Sequence, residues 1–131
     1  MGATELSAPS WSAWATTEPF TLGVEEEVML LDPRTWGLAQ AIDEVLPRLP
    51  AWMAGRVHPE THAGAAELAT GVQLTVRGAI DELHAMRVAM METCEACGLS
   101  GASAGTHPFT VWRETTVSRG GGGKDTWVLP S

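Results

Sequence analysis

Phe20-Thr-Leu-Gly-Val-Glu-Glu-Glu-Val-Met-Leu-Leu-Asp-Pro33 sets the character of this chain. Apolar residues flank a block of three acids, and Asp32-Pro33 closes the run with turn chemistry. The aliphatic and β-branched residues predict a strand over residues 20–31. Side chains alternate between the two faces of a strand, so Glu25 and Glu27 share one face. Glu26 then points the other way with Val24 and Val28. Two carboxylates about 7 Å apart on one pleated face repel each other unless a cation or water lies between them. The pair is therefore a candidate divalent-metal site, and an ordinary solvated edge or acidic patch is the competing reading.

A second acidic position lies downstream. Glu67 sits in Ala-Ala-Glu-Leu-Ala-Thr, where a lone carboxylate is costly to bury unless paired or metal-bound. An extended segment over residues 61–72 would put Ala65, Glu67 and Ala69 on one face, with small neighbours leaving room for a ligand. The alanines leave a helix open there on propensity alone. Glu60 is a further acid close by.

Helical spacing of Ile42, Val45, Leu46 and Leu49 predicts a short amphipathic helix over residues 39–46, which Pro47 and Pro50 prevent from continuing. A longer helix is predicted over residues 76–97. Its apolar stripe is Val76, Ile80, Leu83, Met86, Met90, Cys94 and Cys97, with Gly98 as the stop. Cys94 and Cys97 form a C-x-x-C pair at the end of this helix. A structural zinc site needs four ligands, and a redox pair belongs at a helix amino terminus, where the dipole lowers the thiol pKa. Two small core residues are the better reading. A third strand is predicted over residues 99–109, ending in Gly105-Thr-His-Pro-Phe109. His107 there is either a ligand or hydrogen-bond donor, or a structural turn residue. The order strand, helix, strand, helix, strand predicts an α+β or α/β piece.

Composition bounds the function classes. The 131 residues carry 16 acidic and 8 basic side chains, a net charge of −8, so a basic stripe for nucleic acid is excluded. No run approaches the roughly 20 apolar residues that cross a bilayer, and no membrane partner is expected. The first 17 residues contain no Lys or Arg and no unbroken apolar stretch, unlike a signal peptide, which points to the cytoplasm. Residues 1–17 are expected to be a flexible leader and the glycine-rich residues 118–131 a flexible tail. Gly123-Lys124 is not a phosphate loop, because Ser118 and Asp125 stand where that pattern needs Gly and Ser or Thr.

Three ordered segments together resemble glutamate–cysteine ligase type 2 proteins, the carboxylate–amine ligases. They are residues 20–33 quoted above, Glu67-Leu-Ala-Thr-Gly71, and Gly105-Thr-His-Pro-Phe109 with Trp112. The resemblance covers residues 19–117, and residues 18–117 then form the amino-terminal part of such a domain. It implies an α+β fold, part of a glutamine-synthetase-like antiparallel sheet with packed helices. It also implies an ATP-dependent ligase that phosphorylates the γ-carboxyl of glutamate for attack by cysteine or another amine. ATP and Mg2+ are the implied cofactors, with nucleotide-binding residues unassigned and a homo-oligomer left open. By the same resemblance Glu25, Glu27 and Glu67 match metal-holding acids, and His107 lies at the substrate end of the site. Family members are about three times as long, and the residues from 118 onward do not resemble them. The implication is a shortened chain without turnover, with a non-catalytic acidic binding module of ligase ancestry as the alternative.

Overall fold

The computed structural model of the chain describes residues 20–111, 113 and 115–117. The expectations for residues 1–17, residues 118–131 and Trp112 lie outside the described residues. Four strands form one antiparallel sheet: β1 (Glu25–Leu31), β2 (Val57–Pro59), β3 (Ala65–Ala69) and β4 (Ser100–Ser103), in the order β2-β3-β1-β4. Two α-helices, α1 (Ile42–Val45) and α2 (Val76–Ala96), complete the α+β architecture. The acid-bearing strand β1 lies between β3 and β4, but β4 pairs only with its apolar half, Val28–Leu31, so Glu25, Glu26 and Glu27 are laddered to β3 alone and Glu25 is exposed.

One face of the sheet carries the core. Val28 and Leu30 of β1 and Ala66 and Leu68 of β3 pack with Met86, Met90 and Cys94 of α2. Ile42, Val45 and Met53 close the same core from the connection between β1 and β2. α2 starts on Thr75, whose Oγ accepts the Gly78 N–H at 3.0 Å, and so satisfies one of the helix's orphan donors. It ends in a Schellman motif. Gly98 takes a left-handed φ of 73°, its N–H donates to the Glu95 carbonyl at 2.9 Å, and the Leu99 N–H donates to the Cys94 carbonyl at 2.8 Å.

Several expected boundaries shift, each for a local reason. β1 begins at Glu25 rather than at residue 20. Phe20 adopts a φ of 65°, and Leu22 joins only an isolated bridge to Gln73. α1 has a single turn, and Pro47 passes the chain into a 3-10 turn at Leu46–Arg48, followed by another at Ala51–Met53. The extended segments over residues 61–72 and 99–109 shorten to β3 and β4. β2 was not visible in the sequence, being three residues long with Pro59 at its end. The stripe of α2 also differs: Val76 and Ile80 are exposed, whereas Ala79, Ala89 and Thr93 are buried.

Cys94 lies in the core and Cys97 beside it, as two small residues at a helix end would. Burial pushes the Cys94 thiol up to about 11, helped by the negative ends of Cys97 and Glu95, which is the reverse of thiol activation.

Candidate functional site

Register decides which acids meet. Glu27 of β1 stands directly opposite Glu67 of β3, and Glu25 stands opposite Ala69. His58 of β2 stands opposite Glu67 on its other side. Directly paired residues project to the same face, with Cβ atoms about 4.5–5.5 Å apart. Glu25, Glu27, Glu67 and His58 therefore share the sheet face turned away from α2. Glu26 faces α2, where Arg87 Nε donates to its two carboxylate oxygens at 2.8 and 2.6 Å. Burial alone would raise the Glu26 pKa. Hydrogen bonds from Arg87 and Ser103, with the Arg87 charge, outweigh it and hold this carboxyl below its ordinary range.

The three neighbouring acids thus divide by face. Glu26 is neutralised by a guanidinium, while Glu25 and Glu27 look onto the open face with Glu67. Two carboxylates held opposite each other supply oxygen donors suited to a hard divalent cation, which commonly binds through one or two carboxylates and keeps several waters. Among the described residues no three His, Cys, Asp or Glu side chains stand together as a metal site, so the strands supply this register pair of carboxylates and no third donor beside it.

A cleft of about 370 Å³ adjoins this face, lined by residues that include Glu27, Glu60, His62, Ala65, Thr106 and His107. Glu27 belongs to both the carboxylate group and the cleft, whereas Glu25 and Glu67 do not line the cleft. The wall opposite β1 is the loop after β4. The Ala104 N–H donates to the Glu27 carbonyl at 3.2 Å, and a Cβ at Gly105 would lie 3.5 Å from Glu27 Oε2. The loop therefore passes within ordinary contact distance of the carboxylate.

His107 is committed to backbone. Its Nδ1 accepts the Thr110 N–H at 3.1 Å and the Phe109 N–H at 3.4 Å, which assigns the proton to Nε2. Nε2–H then donates to the Trp36 carbonyl at 2.9 Å, and the ring meets Phe109 edge to face at a centroid distance of 4.5 Å. The Trp36 carbonyl is presented by the turn after β1. Asp32 caps that turn through the Arg34 N–H at 2.8 Å, the contact that contributes most to holding its carboxyl below the ordinary range. His107 consequently ties the loop wall to the β1 turn, and proton transfer by its ring would require one of these bonds to open. His107 is legible in the sequence, whereas the places of His58, the Gly105 approach and the Trp36 carbonyl are not. Each of these depends on strand pairing or a long-range contact.

The match to known families falls on this same region. The model of glutamate-cysteine ligase family 2 matches residues 21–123, beyond Val117. The chain belongs to the glutamate–cysteine ligase family 2. It is 39% identical over 106 residues to a candidate glutamate–cysteine ligase 2 of Bordetella avium, covering 80% of this chain and 26% of that protein. A counterpart in Rubrobacter xylanophilus is 40% identical over 99 residues, covering 76% of this chain and 26% of its own length. One in Sorangium cellulosum is 34% identical over 103 residues, covering 77% and 28%. The chain thus spans about a quarter of the length of the curated relatives it matches. As a member of a ligase family, it carries the stretch holding Glu25, Glu27, Glu67 and His107. No helix among the described residues is long and apolar enough to cross a membrane.

Proposed function

We propose that this chain is the cation-holding part of an ATP-dependent carboxylate–amine ligase, with the paired Glu27 and Glu67 as the residues that would hold Mg2+ and Glu25 two positions along the same face. The observation that carries the reading is the register pair Glu27–Glu67 on the two inner strands, on the face away from α2 and beside a cleft. When bound, the ion would offset triphosphate charge and polarise the transferred phosphoryl group. The chain's own residues supply the rest of the arrangement. Glu27 reaches the cleft, Glu25 and Glu67 add negative charge along the same face, and His107 fixes the loop that forms the cleft wall. The cleft suits a small carboxylate such as glutamate together with an amine such as cysteine, in a cytoplasmic setting.

The span of about a quarter of its relatives favours a second reading, a binding module of ligase ancestry that takes up the cation without turnover. Cation binding is common to both readings and is tested first. Mn2+ titrated into the purified chain and followed by electron paramagnetic resonance is expected to bind, with Glu27→Gln and Glu67→Gln each weakening it at least tenfold. Equal binding by wild type and both variants would remove these glutamates from the site.

A further inference from the structure

We propose that Glu82, on α2, is a positioning residue that sets the register of β1 and so commits Glu25 and Glu27 to the open face. The inference rests on the cation-holding role of that face.

β1 does not specify its own register. Three acids are followed by four apolar residues, Val28-Met-Leu-Leu31, so neither half alternates between polar and apolar. A slip of one residue would turn every side chain to the other face. Glu26 would then stand on the open face while Glu25 and Glu27 faced the core, at little cost in burial along the apolar half. Contacts beyond the strand must therefore fix the pairing.

Arg87 supplies one by holding Glu26 on the α2 face, and the others converge on Glu82. Its carboxylate accepts the Gly71 N–H at 3.1 Å and the Gln73 side-chain N–H at 2.5 Å, and it pairs with the Arg56 guanidinium. Gly71 and Gln73 belong to the segment that extends β3 toward α2. Just before Gly71, Thr70 holds the residue before Glu25 in both directions: the Val24 N–H donates to Thr70 Oγ, and the Thr70 N–H donates to the Val24 carbonyl, each at 2.9 Å. Gln73 exchanges both backbone bonds with Leu22, at 2.9 and 2.8 Å. Arg56 adds a third link, because its carbonyl accepts the Ala69 N–H at 2.8 Å. The approach is close enough that a Cβ at Gly71 would meet the Arg56 guanidinium at 3.2 Å. One half-buried carboxylate thus fastens the entrance of β1, the end of β3 and the start of β2 to a single helix.

The test compares wild type with Glu82→Ala, and with Arg56→Gln should the first fail to fold. Ala89→Gly on the same helix is the control that lowers thermal stability without touching the clamp. In the Glu82 variant, amide exchange should quicken at Val24, Thr70 and Gly71, the Glu27–Glu67 cross-strand Hα contact should weaken, and Mn2+ affinity should drop about tenfold or more. The control should lose stability yet keep the cross-strand contact and the affinity. A folded Glu82→Ala chain with an unchanged cross-strand contact and unchanged exchange overturns the proposal. So does a control that loses affinity to the same degree. If wild type itself binds no Mn2+, the cation reading fails alone, and the exchange and cross-strand measurements still decide the role of Glu82.

Discussion

Glu26 differs from its two neighbours in fate rather than in chemistry. All three glutamates entered the chain as one acidic block, but period-2 alternation sends only Glu26 toward Arg87. Its pKa lies below the ordinary carboxylate value of about 4.3. The unfolded chain therefore binds this proton more readily than the folded one, so the linked stability is full above about pH 4.3 and is lost as pH falls through the lower folded value. Thermal unfolding followed between pH 6 and pH 3 should show a decline that Arg87→Ala flattens, because burial without the guanidinium no longer holds the folded pKa below the unfolded one. An identical acid profile in wild type and variant would show that the pair contributes nothing to the folded state. At the same scale, the alternation that separates Glu26 from Glu25 and Glu27 was legible in the sequence, because it needs only the strand assignment. The guanidinium that meets Glu26 lies 61 residues away, and no local pattern announces it.

At the scale of elements, what could be read depended on length and on how many residues share a pattern. α2, with 21 residues, was found nearly to its ends because its period repeats over several turns and Gly98 marks the stop. β2 was lost because three residues cannot establish a period. The stripe of α2 was legible in its second half and misplaced in its first, where hydrophobicity suggested Val76 and Ile80. The helix rests on the sheet through small residues instead: Ala79 and Ala89 are 1% and 7% exposed, against 52% for Ile80. Close helix–sheet contact favours small side chains there, and composition alone ranks Ile above Ala. The correction has a measurable consequence. Met86→Ala removes a side chain with no exposure and should cost about 2–5 kcal/mol. Ile80→Ala should stay within about 1 kcal/mol, since its side chain already meets solvent. Comparable losses at the two positions in urea unfolding would restore the stripe read from sequence.

At the scale of the whole molecule, the family membership and the open sheet face bear on different parts of a ligase reaction. Phosphoryl transfer and amide formation require ATP, carboxylate and amine to be held in line at once, with cationic groups around the developing charge. Lys occurs once in the chain, at Lys124, outside the described residues. Arg56 and Arg87 are occupied by Glu82 and Glu26, away from the open face. Arg34 likewise pairs with Asp32, so these three guanidinium groups are engaged by carboxylates of the chain itself. Exposed apolar residues gather before α2 and in its first turns. Phe20, Val72, Leu74, Val76 and Ile80 are all exposed, and the Leu22–Gln73 bridge gathers the first three around one end of the sheet. Such a surface suits contact with other protein. The expected outcome is that the 131 residues, supplied with ATP, Mg2+, glutamate and cysteine, release no ADP in an amine-dependent manner, although they bind the cation. The measurement is ADP release with and without cysteine, set against a Glu27→Gln chain. Amine-dependent release in wild type, abolished by that substitution, would show that these residues alone complete a ligase site.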